Sequence, residues 1–280
     1  MELWFTEKHS PGRGLTYQVK QTLYQERSQF QTIDIVETED FGLVMLLDGV
    51  IMVTEKDEFV YHEMLSQPPL FTHPAPREVL IIGGGDCGTL KRVLIHKTVE
   101  HVTQVEIDEM VTRVAGMYFP LLTDCTKDPR VDLVFDDGTH YLRNNQDRFD
   151  LILIDSTDPV GPAEGLFQRD FYADCQRALK EDGILCIQSE SPYIDALREV
   201  IVQANRDLRG LFPFVFPYLT PIQTYQAGLW MFQMASNRYN PINPEVGKRI
   251  DSMGSAFQFY NRAIHDACFA MPEFIKRMLV

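Results

Sequence analysis

Val79-Leu80-Ile81-Ile82-Gly83-Gly84-Gly85-Asp86-Cys87-Gly88 is the stretch from which the fold of this 280-residue chain can be read. Four consecutive apolar residues describe a strand buried on both faces, and the glycines after them a tight turn into a helix starting near Thr89. Gly83, Gly85 and Gly88 satisfy G-x-G-x-x-G, a spacing that lets backbone approach a nucleotide closely. Turns that only pack a strand on a helix show the same spacing, so the neighbouring residues have to discriminate. Gln104-Val105-Glu106-Ile107-Asp108 closes a second apolar run one βαβ unit later, setting Glu106 where a carboxylate accepts both hydroxyls of a ribose. Asp86 narrows the nucleoside: a carboxylate inside the turn repels a pyrophosphate at that helix N-terminus and attracts an amine or a sulfonium. An adenosyl sulfonium compound is therefore expected in preference to NAD or ATP.

From Arg77 onward strand and helix patterns alternate: strands at 79–82, 101–105, 131–135, 151–154 and 184–187, with helices starting at Thr89, Glu109 and Asp195 and one running through Leu179. That order predicts an α/β domain with a parallel, doubly wound sheet and helices on both faces. Runs at 212–218 and 229–234 read as a closing antiparallel pair. Ligands of such sheets collect at the carboxyl ends of the strands, and acids follow all five strands there: Asp86, Glu106, Asp136-Asp137, Asp155 with Asp158, and Glu190. One such acid is a helix cap or turn former; five along one rim describe a cleft that attracts cations.

The first 60 residues differ. Pieces at 17–23, 30–36, 44–47 and 50–53 are β-rich and separated by polar turns, among them the hairpin signal Asp48-Gly49. They predict a small antiparallel domain over 1–60, packed on a catalytic domain over 61–280 and on a second copy of the chain, since such a sheet has exposed edges and little core of its own. Thr54 is the expected cap of a helix carrying Tyr61 and His62. Pro68, Pro69, Pro74 and Pro76 read as a rigid connection into the glycine strand.

Composition bounds the partners. Forty acidic against 26 basic residues give a net charge of −14, which disfavours nucleic acid and anionic membranes. No apolar run is long enough for a bilayer and residues 1–8 lack a signal-peptide pattern, so a soluble, cytoplasmic protein is expected. The five cysteines lack C-x-x-C spacing and are odd in number, indicating neither a disulfide framework nor a zinc or other metal site.

Leu47-Asp48-Gly49-Val50, the run Thr54 to Met64, the glycine turn, Gln104 to Asp108, Asp155 to Pro162, Ala178 to Gly183, Thr224-Tyr225 with Gly228 and Trp230, and Tyr260-Asn261 with His265, Phe269 and Pro272 closely resemble the spermidine synthase family of aminopropyltransferases. The resemblance covers nearly the whole chain and implies a Rossmann-like sheet of the class I methyltransferase type, whose N-terminal domain serves oligomerisation, as a homodimer or homotetramer, and covers the acceptor site. It implies decarboxylated S-adenosylmethionine as co-substrate donor with no further cofactor, putrescine as acceptor, and spermidine and methylthioadenosine as products. By the same resemblance Asp155 is the catalytic base. Gln31, Tyr61, His62, Gly83, Gly85, Asp86, Glu106, Asp137 and Gly138 would bind the donor; Tyr61, Asp155, Asp158, Glu190 and Tyr225 would hold the acceptor. Two positions depart from the family pattern: Cys87 stands where glycine is usual, and Gln223 where proline is. Other readings stay open: a diamine N-methyltransferase using S-adenosylmethionine, an aminopropyltransferase acting on agmatine, cadaverine or spermidine, and a non-catalytic polyamine-binding protein.

Overall fold

The computed structural model describes residues 2–158 and 161–280. Pro159 and Val160, part of the expected turn after Asp155, lie outside the described residues. Strands β1 (Leu3–Ser10), β2 (Arg13–Arg27), β3 (Thr32–Thr38), β4 (Gly42–Leu47) and β5 (Val50–Thr54) form an antiparallel meander in chain order. Asp48 and Gly49 join the last two with φ of 49° and 81°, the left-handed pair a two-residue hairpin turn requires. Side chains alternate between faces: Ile33, Ile35, Met45, Leu47 and Val53 share one cluster, while Val36, Val44, Leu46 and Ile51 share another with Phe41. Strand β1 goes beyond the four pieces expected, because its mostly exposed LWFTEKHS has no apolar face to announce it; Glu7 is its one fully buried residue.

Helix α1 (Glu58–Thr72) follows, and two expectations change here. Thr54 is not the cap: its hydroxyl donates to Asp57, which occupies the cap position. Pro68 and Pro69 lie inside the helix, leaving only Pro74 and Pro76 in the connection. A proline at 68 cannot donate to the Met64 carbonyl, which is why prolines usually end helices. The buried Tyr218 hydroxyl donates to that carbonyl at 2.8 Å instead. With the first sheet ending at Thr54 and α1 starting at Glu58, a division at 60/61 would cut the helix.

The remainder runs β6 (Glu78–Gly83), α2 (Gly88–Val93), β7 (His101–Glu106), α3 (Glu109–Tyr118), α4 (Pro120–Thr123), β8 (Val131–Phe135), α5 (Gly138–Arg143), β9 (Phe149–Asp155), α6 (Arg169–Ala178), β10 (Leu179–Gln188), α7 (Asp195–Leu211), β11 (Phe214–Pro221) and β12 (Leu229–Ser236). Helices α8 (Pro244–Ser252), α9 (Arg262–Cys268) and α10 (Glu273–Met278) close the chain. Seven strands lie in the order β11-β12-β10-β9-β6-β7-β8, the last five parallel and β12 and β11 antiparallel, as the late runs predicted. The central strands β6 and β9 bury both faces: Val79, Ile81, Leu151 and Leu153 join α1 and α2 in one core, whereas Leu80, Ile82, Ile152 and Ile154 join α6 and α7 in the other. From β6 the chain winds outward through β7 and β8, then returns to place β9 on the other side of β6. The strand order therefore reverses between β6 and β9, the place where open α/β sheets bind ligands.

The apolar face of the first sheet packs on Val111, Val114, Ala115 and Phe119 of the α3 region, so the meander roofs this rim. Removing the hydroxyl that replaces the missing proline N–H should be costly. Tyr218→Phe is expected to lower stability by about 1–3 kcal/mol, seen as a reduced denaturant midpoint with unchanged slope; an unchanged midpoint would show that the Met64 carbonyl has no need of it.

Candidate active site

At the reversal, Gly83 and Asp155 sit side by side in register. Gly83 and Gly84 both have positive φ, 84° and 68°, and the Gly84 N–H donates to the Asp155 carbonyl at 2.8 Å. A Cβ on Gly83 would overlap that carbonyl, so the turn can wrap the end of β9 only with glycine there. Gln104 of β7 donates to the Gly84 carbonyl at 2.6 Å and fixes the loop from the far side. Cys87 is left-handed as well, with φ 67° and a fully buried side chain, so the departure from glycine carries real backbone strain. Gly88 is glycine for another reason: the His62 imidazole occupies the space its Cβ would take.

A chamber of about 390 Å³ opens over this turn beneath the meander. It brings together Gln31, Tyr61, His62, Gly83, Gly85, Asp86, Glu106, Asp137, Gly138, Asp155, Asp158 and Tyr225. Glu190 is the exception: fully buried with φ 62°, it lies against Asp158 and Gln188 and lines neither this chamber nor the slot beyond it. An acceptor contact from Glu190 would therefore pass through Asp158.

Along the chamber the chemistry changes by stages. At the outer end Asp137 caps α5 through the Thr139 N–H (2.7 Å), and Gly138 sits bare over Ile82, leaving a flat apolar surface. Glu106 follows, accepting the Asp108 N–H at 2.8 Å. Burial, reinforced by the Asp108 and Asp155 carboxylates, lifts its pKa to about 7. Gln31 stands at the rim with its amide donated to Asp108, which Ser28 also holds. The roof is thus tied to the cap of α3.

Asp86 and Asp155 line the chamber at the glycine turn. The Tyr61 hydroxyl donates to Asp155 Oδ1 (2.8 Å) and the Thr89 hydroxyl to Oδ2 (2.6 Å). Burial raises the Asp155 pKa against the opposing charge of His62 and these two hydroxyls, and Asp86 adds to the rise. Asp86 goes the other way. Burial alone would raise it, but His62 Nε2 at 3.3 Å and the Gly88 N–H at 2.6 Å bring it below the usual aspartate range. The rim is therefore not uniformly negative as the sequence implied, because a buried imidazolium stands inside it.

A narrow slot of about 30 Å³ shares Tyr61, Asp158 and Tyr225 with the chamber and continues between Trp230, Gln188 and Glu7. Its aromatic wall is continuous: Tyr61 and Tyr225 have ring centroids 5.5 Å apart, Tyr225 and Trp230 4.9 Å. Apolar aromatic sides with acids at Asp158 and Glu7 suit a slender dication. Glu7 was not expected here; nothing in the sequence separates it from the other charges of an exposed edge strand. The loop bearing Tyr225 is anchored without the usual proline, since Asp57 accepts the Thr224 N–H and hydroxyl and the Tyr225 hydroxyl donates to the Met52 carbonyl at 2.6 Å.

Known proteins match this arrangement along the whole chain. The spermine/spermidine synthase domain matches residues 58–244 and the spermidine synthase tetramerisation domain residues 3–55. Polyamine aminopropyltransferases of Clostridium perfringens (strain ATCC 13124) and Alkaliphilus metalliredigens (strain QYMF) are 43% and 42% identical over 279 residues, covering 100% of this chain and 98% of each relative. Two solved structures cover 99% of this chain and 94% of their own: a spermidine synthase in complex with the transition state analogue AdoDATO, 40% identical with a TM-score of 0.95, and the spermidine synthase from Thermotoga maritima, 39% identical with a TM-score of 0.94. Fold, rim and both matched domains together make this chain a member of the spermine/spermidine synthase family, the polyamine aminopropyltransferases.

Proposed function

We propose that the chain transfers the aminopropyl group of decarboxylated S-adenosylmethionine to putrescine, yielding spermidine and methylthioadenosine, with Asp155 as general base. The observation that carries this reading is the junction of a nucleoside-sized chamber with a slender aromatic slot beside the Asp155 carboxyl. In this arrangement the adenine rests by Asp137 and Gly138, and the ribose hydroxyls donate to Glu106. Gly83 and Gly85 admit the sulfonium end, while Gln31, Tyr61, His62 and Asp86 surround the aminopropyl tail. The diamine lies in the slot with its far ammonium near Asp158, backed by Glu190, and with Tyr225 against its methylenes. The bound AdoDATO of the similar spermidine synthase supports a donor and acceptor meeting in one cavity. The match of residues 3–55 to a tetramerisation domain supports assembly with copies of itself, and a cytoplasmic location and the absence of any further cofactor belong to the same reading.

The chemistry explains why the carboxylate is buried. An alkylammonium of pKa ~10.4 has no lone pair, so it must lose a proton before attacking. An ordinary carboxylate of pKa ~3.9 accepts that proton at a cost of roughly 8–9 kcal/mol. The elevated pKa of Asp155 narrows the gap. The freed amine then displaces the sulfonium: a C–N bond forms at the methylene, the C–S bond breaks, and its electron pair returns to sulfur as a neutral thioether. The anchored geometry offsets the repulsion between two cationic substrates.

Incubating the protein with each donor and with putrescine, cadaverine, agmatine or spermidine, then weighing the products, tests the assignment. Spermidine from decarboxylated S-adenosylmethionine and putrescine is the expected main product; methylated putrescine alone would contradict it. Asp155→Asn should reduce kcat by about 10²–10⁴-fold while leaving methylthioadenosine affinity unchanged, as equilibrium binding would show.

Glu106 supplies a second expectation. In the ligand-free protein its pKa lies near 7, above the ordinary 4.5, so this group lowers stability as pH rises from 4.5 through about 7. Ribose hydroxyls donate to the ionised form, so methylthioadenosine should bind more tightly as pH passes from 6 to 8. In Glu106→Gln, calorimetry should find weaker binding with that pH dependence gone.

A further inference from the structure

Behind Asp86 runs a line of buried charges that the reaction as proposed leaves unexplained. His62, 2% exposed, places Nε2 3.3 Å from Asp86 Oδ1 and Nδ1 2.7 Å from Glu58 Oε2. Arg92 Nη2 meets the other Glu58 oxygen at 2.8 Å, and Arg92 Nε lies 3.7 Å from Glu63. Glu63 accepts the backbone N–H groups of Gln258, Phe259 and Tyr260, which anchors the line in the C-terminal segment. Charges alternate along it: Asp86, His62, Glu58, Arg92, Glu63. A row of this kind is stable underground only while every member is present, since removing one leaves its neighbour buried and unpaired. Among the described residues the two contacts of Asp86, from His62 and from the Gly88 N–H, fall on Oδ1, which leaves Oδ2 for a ligand.

We propose that Glu58 and Arg92, acting through His62, are positioning residues that hold Asp86 as a fixed anion for the ammonium of the donor's tail, separating its task from that of Asp155, which exchanges a proton. The inference rests on the function proposed above. His62 is faced by Glu58 and Tyr61 of α1, Asp86 of the glycine turn and Asp155 of β9, with Arg92 of α2 paired to Glu58. Burial would discharge the ring, but Asp86 and Glu58 outweigh it and carry its pKa to about 10, so His62 stays charged through neutral and mildly alkaline pH. Without Glu58 the imidazolium has only Asp86 to set against its burial, and its proton is lost at lower pH.

Glu58→Gln tests this through the donor's KM, kcat and pH dependence, beside equilibrium binding of methylthioadenosine, which lacks the ammonium. Between pH 7 and 9 the wild-type donor KM should not rise, changing only by the tightening that Glu106 gives methylthioadenosine as well. In the variant it should be about tenfold higher at pH 7 and climb further with pH, with kcat at saturating donor nearly retained and methylthioadenosine affinity unchanged. An equal loss of affinity for both ligands, or a rise that ignores pH, would make the line a structural strut and overturn the proposal. Should Glu58→Gln not fold, His62→Gln keeps a planar polar group without charge; it should raise donor KM selectively and without pH dependence, and an unchanged donor KM would overturn the proposal equally. Absence of wild-type turnover would overturn the functional reading and this inference together, whereas failure of the variant comparison removes the inference alone.

Discussion

A carboxyl group taken out of water must be protonated, paired with a cation or saturated with hydrogen-bond donors, and the rim of this sheet gathers acids under that rule. Each meets it differently. Asp86 has an imidazolium, Asp155 has two hydroxyls and a raised proton affinity, and Glu190 and Asp158 lean on one another with their pKa values raised chiefly by burial. One stretch of electrostatic environment thereby holds one carboxylate ionised, raises the proton affinity of a second and leaves a third paired with a neighbouring acid. The separation is what allows carboxylates of like chemistry to do different work a few ångströms apart.

The N-terminal meander takes part in the site as well as in the matched tetramerisation domain. Ser28 and Gln31 tie it to Asp108, Tyr17 donates to the Thr224 carbonyl, and Glu7 reaches the far end of the slot. These ties cross from the sheet to the caps and loops of the second domain, so a displacement of the meander would open chamber and slot together. Asp57, at the junction, holds both the entry to α1 and the loop bearing Tyr225. That double duty accounts for a loop ordered without proline at position 223.

What the sequence disclosed follows from locality. A buried strand running into glycines, and an acid after each later strand, are legible because parallel strands place their carboxyl ends on one side whatever the loops do. Pairings between distant residues are not. Pro68 and Pro69 read as a break because the Tyr218 hydroxyl that mends the helix comes from 150 residues further on. His62 resembles any core histidine until Glu58 and Asp86 are seen on either side of its ring, and Glu7 becomes special only once an edge strand folds over a slot. Cys87 was visible as an oddity, and its φ of 67° shows that the turn keeps its glycine-like shape with a side chain in it. Glu190 does follow its strand, but it sits behind Asp158 and lines neither cavity, a placement that depends on how the distant Asp158 loop folds over it.

The division between Asp86 and Asp155 is the claim on which the rest stands, and it is open to direct observation. Aspartate labelled with ¹³C at the carboxyl carbon, with Asp86→Asn and Asp155→Asn used to assign the signals, would follow both groups through a pH titration of the ligand-free protein by NMR. The account predicts that the Asp86 signal stays ionised to a pH below the usual aspartate midpoint while that of Asp155 takes up its proton above it. Two signals titrating together, or in the reverse order, would contradict it.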